Sequence, residues 1–247
     1  MLELDAWLDI AKSAALKGGK YLLKNQGKKL KILLNRGRDL KLQLDTDTEQ
    51  IIKESLSSQS TFSILGEETG LSNHMGEFYW VVDPLDGTSN FLRDIPISCV
   101  SIALMQNTTP ILGVIYDFNH DHLYYGHQEC KAFVNEVEIN VSDYVEKSQS
   151  TLVTGIPAKT SYLDSEFKQM IHDFQQWKKV RMIGSAAMAS IYVAAGKADT
   201  YKEDGIFLWD VAAGAAIVKA AGGAVSITNM QPDYRVDALF TNKHLAS

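Results

Sequence analysis

The apolar run FYWVV over residues 78–82 ends abruptly at Asp83, and this transition constrains the fold more than any other feature of the chain. Consecutive apolar residues, rich in aromatic and β-branched side chains, are typical of a buried strand. Two carboxylates, Asp83 and Asp86, follow at once. We therefore predict a buried strand that delivers acidic residues at its C-terminal end.

The hydrophobic pattern changes near residues 140–150, whose sequence NVSDYVEKSQS is polar and weakly patterned. Upstream, an amphipathic first helix precedes a helix at 49–57 and strands at 40–44, 61–65, 78–82, 97–104, 111–116, 122–126 and 132–134. Downstream, strands at 151–155, 179–183 and 198–202 alternate with helices at 164–177, 185–195 and 210–221. This predicts an α+β domain over residues 1–145 and an α/β domain over residues 146–247.

Charge and composition exclude several classes of protein. The 247-residue chain carries a formal net charge of −6, so it lacks the basic surface expected of a nucleic-acid-binding protein. No stretch is long and apolar enough to span a membrane, and the N-terminal segment has the spacing of an amphipathic helix rather than of a signal peptide. We therefore expect a cytoplasmic protein with no membrane partner. Cys99 and Cys130 belong to no CxxC pair, and we expect two reduced, buried thiols.

Acidic residues stand at the ends of three predicted elements. Glu67 follows one strand, and Asp83 and Asp86 follow another. Asp210 opens a helix. Magnesium prefers hard oxygen ligands, and carboxylates that lie close together repel one another unless a cation neutralises them. If these groups converge, they imply a metal site. Taken singly, each has a plainer interpretation, because such residues are also common in surface turns and at helix N-termini.

At these residues the chain resembles the inositol monophosphatase family. The sequence WVVDPLDGTSNF over residues 80–91 matches the family signature D-P-[IL]-D-G-T-x-N-F, and LWDVAAG over residues 208–214 matches the second signature, W-D-x-A-[AG]-G. The G-E-E element stands at residues 66–68. The resemblance implies an α/β fold, the layered αβαβα sandwich of the inositol monophosphatase and fructose-1,6-bisphosphatase type. It also implies hydrolysis of a small phosphate monoester by metal-activated water.

The resemblance carries the family's functional residues onto this chain position by position. It implies two or three Mg²⁺ ions per site, held by Glu67, Asp83, the Leu85 carbonyl, Asp86 and Asp210. It assigns Glu67 and Thr88 to orienting the attacking water, and Asp47 to a third, weaker ion. The implied substrate contacts are Asp86, Gly87, Thr88, Gly184, Ser185, Ala186, Glu203 and Asp210.

The choice of substrate rests on two segments. Glu203 takes the position where the family binds the ring hydroxyls of inositol, and GSAA over residues 184–187 matches the family's run near the substrate. Both favour inositol 1-phosphate or a related polyol or sugar phosphate. The segment LDTD over residues 44–47 departs from the usual V-T-x-x-D pattern, so a 3'(2'),5'-bisphosphate nucleotidase stays open, as does a fructose-1,6-bisphosphatase. A regulatory binding protein on the same scaffold is the non-enzymatic alternative. The resemblance also implies lithium sensitivity and allows a homodimer.

Overall fold

A computed structural model of the chain describes residues 3–28, 30–36, 39–156 and 163–245. Within these ranges the helices are α1 (Leu4–Asn25), α2 (Gln43–Ser57), α3 (Thr88–Leu92), α4 (Asp164–Phe174), α5 (Ala186–Ala194) and α6 (Leu208–Ala220), with a 3₁₀ turn at Lys147–Gln149. The strands are β1 (Ile32–Arg36), β2 (Asp39–Leu42), β3 (Ser63–Gly66), β4 (Gly70–Leu71), β5 (Phe78–Asp86), β6 (Cys99–Gln106), β7 (Thr109–Asp117), β8 (His122–His127), β9 (Ala132–Val134), β10 (Val137–Ile139), β11 (Thr151–Thr154), β12 (Lys179–Met182), β13 (Thr200–Phe207), β14 (Ala224–Thr228) and β15 (Arg235–Thr241).

Strand β5 lies inside a large sheet with the order β10-β9-β8-β7-β6-β5-β3-β4. Its side chains alternate between the two faces, as they must in a strand. Tyr79 and Val81 pack with the side chains of α5 and α6, whereas Trp80 and Val82 pack with those of α1 and α2. Because both faces are covered, every position of the run at residues 78–82 favours an apolar side chain.

A second sheet has the order β12-β11-β13-β15-β14, with β11 parallel to both of its neighbours. Helices α5 and α6 lie between the sheets, because one hydrophobic cluster joins them to Val81 and Ala103 of the large sheet and to Tyr201 and Phe240 of the second. The layers therefore run from α1 and α2 through the large sheet, α5 and α6 to the second sheet, and α4 connects β11 to β12. This arrangement confirms the predicted layered α/β sandwich.

The structure shifts several predicted boundaries. The strand predicted at 40–44 ends at Leu42, and α2 begins at Gln43 instead of at residue 49. The reason is local, because the carboxylate of Asp45 accepts a hydrogen bond of 2.8 Å from the backbone NH of Leu42 and so stabilises an earlier helix start. Strand β13 runs to Phe207, beyond the predicted end at residue 202, because it pairs along its length with β15, which the sequence pattern did not reveal.

The structure also bears on the expectations for the cysteines, for membrane-spanning helices and for the domain boundary. Cys99 is buried and Cys130 is half-buried, and both are free thiols. In the described part of the chain, no helix combines the length and apolar character that a bilayer span requires. The two sheets come from residues before and after the predicted boundary, but they share the cluster around α5 and α6. The division into residues 1–145 and 146–247 stays a prediction.

We expect Gly113→Ala to lower the free energy of unfolding by about 1–3 kcal/mol through overpacking. The added Cβ would lie 2.1 Å from the carbonyl oxygen of Ala213 in α6. Urea unfolding followed by circular dichroism measures the effect. Gly76→Ala is the matched control, since its Cβ would meet only the Phe78 carbonyl oxygen, at 3.6 Å. Equal stability of the two variants would contradict the close approach of α6 to β7.

Candidate metal and active site

Three acidic side chains from separate parts of the sequence converge at the C-terminal end of β5. Glu67, Asp83 and Asp210 each place a carboxylate oxygen within 4.8 Å of the other two. Strands β3 and β5 are parallel neighbours, and the NH of Glu67 donates to the Val82 carbonyl at 3.1 Å, so Glu67 lies beside Asp83. Asp210 arrives on the first turn of α6, whose start is tied to the large sheet by a 3.3 Å hydrogen bond from Ser101 Oγ to the Trp209 carbonyl.

The electrostatics of this cluster are those of a cation site. Burial raises the pKa of Asp83 well above its usual value, and the charges of Glu67, Asp86 and Asp210 raise it further. Burial likewise raises the pKa of Asp210, again with contributions from Glu67 and Asp86. Asp83 is buried and Glu67 and Asp210 are partly buried, and ionised carboxylates this close to one another are stabilised by a partner of opposite charge. The residues therefore fit a hard divalent cation, which takes oxygen ligands and removes the repulsion.

The turn after Asp83 is held rigid by its own hydrogen bonds. Asp83 Oδ1 accepts from the NH of Leu85 at 2.9 Å, and the Leu85 carbonyl accepts from Thr88 Oγ1 at 3.0 Å. Gly87 has a φ of 86°, and a Cβ there would lie 2.7 Å from the Ile97 carbonyl oxygen. Only glycine fits this position without strain. The structure thus brings Leu85, Gly87 and Thr88 next to the acidic cluster.

Asp86 has a different environment from the other three carboxylates. Its Oδ2 accepts hydrogen bonds from Ser185 Oγ at 2.5 Å and from the NH of Ala187 at 2.7 Å, at the N-terminus of α5. Burial raises the pKa of Asp86 to about 6, although the Ser185 hydroxyl and the helix amides lower it. Asp86, a predicted metal ligand, therefore forms a hydrogen bond with Ser185, a predicted substrate contact. One carboxylate oxygen of Asp86 is used in hydrogen bonds to the N-terminus of α5.

Asn90 holds the segment in front of α5 in place. Its Nδ2 donates to the carbonyl oxygens of Ile97 and Ile183, both at 2.8 Å. The next residue, Gly184, has a φ of 75°, and a Cβ there would approach the Asn90 amide to 3.1 Å. This packing sets the position of Ser185 against Asp86. Asn90 belongs to the signature over residues 80–91, yet the sequence assigned it no role.

Glu203 projects from β13 into the same acidic surroundings. It is 8 % exposed, and its Oε2 accepts a 3.1 Å hydrogen bond from the hydroxyl of Tyr201. Burial raises the pKa of Glu203 to about 7, and the charge of Asp86 raises it as well. A Cβ on Gly155 would lie 2.5 Å from Glu203 Oε2, so the glycine leaves the space that the carboxylate occupies.

The acidic residues of α2 lie in three different surroundings, and the role of Asp47 at a third ion stays a prediction. The carboxylate of Asp47 accepts a 2.9 Å hydrogen bond from Gln43 Nε2 and lies 3.5 Å from the Tyr21 hydroxyl. Asp45 is the more deeply buried of the pair, at 2 % exposure. Glu49, one turn further along, is fully buried and bonds to the turn that carries Glu67. The sequence offered one signal for Glu49, a carboxylate spaced with Asp45 on one helix face.

Comparison with known proteins places this geometry in a family. The family model described as "Inositol monophosphatase family" matches residues 3–244. An inositol-1-monophosphatase from Synechocystis is 37 % identical over 235 residues, covering 93 % of this chain and 82 % of that protein. A Nus factor SuhB from Xylella fastidiosa is 39 % identical over 223 residues, covering 88 % of this chain and 80 % of that protein.

A solved structure agrees with this assignment. The inositol monophosphatase from Anabaena superposes with a TM-score of 0.84 at 36 % sequence identity, over 98 % of this chain and 92 % of that one. Matches of this extent cover both sheets and all the elements that carry the acidic residues. The chain therefore belongs to the inositol monophosphatase family and is a phosphoric monoester hydrolase.

Proposed function

We propose that the chain is a Mg²⁺-dependent phosphatase that hydrolyses inositol 1-phosphate or a related polyol or sugar phosphate. The observation that carries the proposal is the convergence of Glu67, Asp83 and Asp210, whose carboxylate oxygens lie within 4.8 Å of one another; Asp83 is buried and the other two are partly buried. Such a group holds its charge only beside a cation. Family membership supports the same reaction class.

The ligands would be those implied by the family pattern. Glu67, Asp83, the Leu85 carbonyl, Asp86 and Asp210 would hold two or three ions, with Asp47 contributing to the weakest. When bound, magnesium supplies Lewis acidity that activates water and screens the charge of the phosphate. Asp86 would bind a cation through Oδ1, because its Oδ2 already accepts hydrogen bonds from Ser185 and Ala187.

The remaining steps belong to side chains and backbone of this protein. The Thr88 hydroxyl donates a hydrogen bond to the Leu85 carbonyl, so its oxygen lone pairs point elsewhere and can accept a hydrogen bond from water. Together with Glu67 it would orient the attacking water for in-line displacement. The amides of Gly87 and Thr88 would hold the phosphate, since the positive φ of Gly87 places them at the turn that opens α3.

Glu203 would select the alcohol part of the substrate. An ionised carboxylate accepts hydrogen bonds from paired hydroxyl groups, which a polyol offers. Gly184, Ser185 and Ala186 would contact the same substrate as Glu203. Ser185 donates a hydrogen bond to Asp86, and the charge of Asp86 acts on Glu203 and raises its pKa. The test is to measure kcat/KM for inositol 1-phosphate, adenosine 3',5'-bisphosphate and fructose 1,6-bisphosphate side by side. A strong preference for either bisphosphate would contradict the proposed substrate class.

Homodimer formation and lithium sensitivity remain predictions from the family resemblance. One surface supports a dimer: α4 has no buried residue, and Leu163 at its start and Ile171 within it are 70 % and 53 % exposed. Exposed apolar faces of this kind are commonly covered by association with another protein molecule. Lithium sensitivity would follow if Li⁺ replaced one magnesium ion.

We expect Asp83→Asn to reduce kcat/KM for inositol 1-phosphate by about 1000-fold or more, because several kcal/mol of transition-state stabilisation depend on the metal centre. The metal-free variant should be no less stable than the wild type, since the substitution removes a buried charge that its neighbours repel. Phosphate release and thermal unfolding measure the two effects. Asp9→Asn is the matched control, because the Asp9 side chain is 79 % exposed on α1.

Two outcomes would count against this proposal in different ways. Full activity of Asp83→Asn would remove the acidic cluster from the reaction. A wild-type protein that binds Mg²⁺ but releases phosphate from no small monoester would favour the regulatory alternative.

The stabilisation of the protein by magnesium should increase with pH. The pKa of Asp86 is raised to about 6 and that of Glu203 to about 7. The metal-free folded state therefore binds protons more tightly at these groups than the unfolded state does, and their protonation stabilises it against unfolding. That contribution is lost as the pH rises through these pKa values. Magnesium needs ionised ligands, so the increase in Tm on adding MgCl₂ should be larger at about pH 8 than at about pH 5.5. NaCl of equal ionic strength is the control, and an equal increase at both values would contradict the expectation.

We expect Glu203→Gln to raise KM for inositol 1-phosphate by about 10-fold or more, because a hydrogen bond to a charged group contributes about 1.5–3 kcal/mol. KM for phenyl phosphate, which has no ring hydroxyls, should change little. Gly155→Ala should act in the same direction by displacing the Glu203 carboxylate. Asp204→Asn is the matched control, because its side chain is 58 % exposed. An equal rise in KM for both substrates would contradict a role in polyol recognition.

A further inference from the structure

The turn that carries Glu67 rests on a second, fully buried carboxylate. Glu49 of α2 has 0 % exposure. Its Oε2 accepts a hydrogen bond of 2.8 Å from the NH of Glu68, and its Oε1 accepts one of 3.2 Å from the NH of Thr69. The hydroxyl of Thr69 donates to the same Oε1. The two residues that follow Glu67 are thus fixed through their backbone by one side chain.

The backbone before Glu67 is shaped to admit this carboxylate. A Cβ on Gly66 would lie 2.5 Å from Cδ, Oε1 and Oε2 of Glu49, so any larger residue would collide with it. Lys53 supplies a positive charge beside it, with its Nζ 4.0 Å from Glu49 Oε1 and 2.7 Å from Thr69 Oγ1. A carboxylate removed from water is costly unless its oxygens are hydrogen-bonded, and here both are.

These contacts determine where the Glu67 side chain points. The NH of Glu67 is bonded to the Val82 carbonyl, which aligns Glu67 with β5. The next two amides are bonded to Glu49, which sets the path of the chain out of the turn. With both ends held, the Glu67 carboxylate is directed toward Asp83 and Asp210. A metal ligand held by a fixed backbone loses little freedom when the ion binds.

We propose that Glu49 is the positioning residue for Glu67 and that it sets the affinity of the acidic cluster for a divalent cation. The inference rests on the proposed function in one respect, namely that Glu67 is a ligand of that cation. Glu49 itself does not touch the ion or the substrate. It acts through the turn, as outer partners of metal ligands do in many metal sites.

The test is the affinity of Glu49→Gln for Mg²⁺, measured on the full chain by isothermal titration with MgCl₂ alone. The glutamine has the same shape, but its NH₂ group would face one of the two turn amides, so one donor loses its acceptor. We expect the Kd for Mg²⁺ to rise by about 10- to 100-fold, the usual effect of removing such an outer partner. Gly66→Ala should change the affinity in the same direction, because it displaces Glu49.

Glu54→Gln is the matched control on the same helix, because Glu54 is exposed and bonds only to Gln50 among the described side chains. Activity assays add a second readout that a general loss of structure would not reproduce. In Glu49→Gln the Mg²⁺ concentration for half-maximal activity should rise, while KM for the phosphate monoester at saturating Mg²⁺ stays near the wild-type value.

A folded Glu49→Gln with the wild-type affinity for Mg²⁺ would overturn the inference alone. If this variant does not fold, Thr69→Ala decides. It removes the hydroxyl that donates to Glu49 and accepts from Lys53 Nζ, and it leaves both turn amides in place. A Kd raised by a few-fold supports the inference, and an unchanged Kd overturns it. Absence of Mg²⁺ binding by the wild type would overturn the proposed function and the positioning role with it.

Discussion

The mutual repulsion of Glu67, Asp83 and Asp210 is the constraint on which the rest of the structure depends. Their carboxylate oxygens lie within 4.8 Å of one another. Burial and the neighbouring charges both disfavour the ionised forms, which raises the pKa of Asp83 and Asp210. Left to itself, such a group would take up protons or move apart. The fold prevents the second outcome by attaching each carboxylate to a different rigid element, and a bound cation would prevent the first.

The surrounding residues form a frame that works mainly through hydrogen bonds to backbone. Glu49 holds the turn of Glu67, the Leu85 amide holds Asp83, and the N-terminus of α5 holds Asp86. Every one of these contacts satisfies a donor that would otherwise be buried without a partner. The frame therefore stabilises the fold and orients the site at the same time, and small changes in it are expected to alter metal affinity before they alter the overall structure.

Close packing of small residues brings the two halves of the site together. Helix α6 approaches β7 so closely that Gly113 has no room for a side chain, and Gly214 of α6 lies against Ser190 of α5. Because α5 and α6 are packed between the sheets, Asp210 reaches the ligands from β3 and β5, and Ser185 reaches Asp86. A wider spacing between these layers would separate the second signature from the first.

Much of the architecture could be predicted from local pattern. Strands β7, β8 and β9 and helices α1, α5 and α6 were recognisable within a few residues. Helix α1 keeps a clear amphipathic period, whereas α5 and α6 are apolar on nearly all sides and were recognised from their small residues and from the glycines that follow α6. The start of α2 was placed too late, since the hydrogen bond from the Leu42 NH to the Asp45 carboxylate, which stabilises that start, is not evident from the hydrophobic pattern. The last two strands, β14 and β15, were missed. They pair with each other, and β15 joins the second sheet by pairing with β13, which lies before α6 in the chain, so the pattern of residues in either strand gives little indication of the sheet.

The sequence by itself determined the chemical types at the site: carboxylates after buried strands, a proline between Asp83 and Asp86 with a glycine directly after them, and signatures that match the inositol monophosphatase family. Only the tertiary structure decided which oxygens meet. It joined Asp86 to Ser185, placed Glu203 against Tyr201 and Gly155, and put the unassigned Glu49 beneath Glu67. The physical reason is that a carboxylate's role depends on the distances and donors around it, and those are set by packing between elements far apart in the chain.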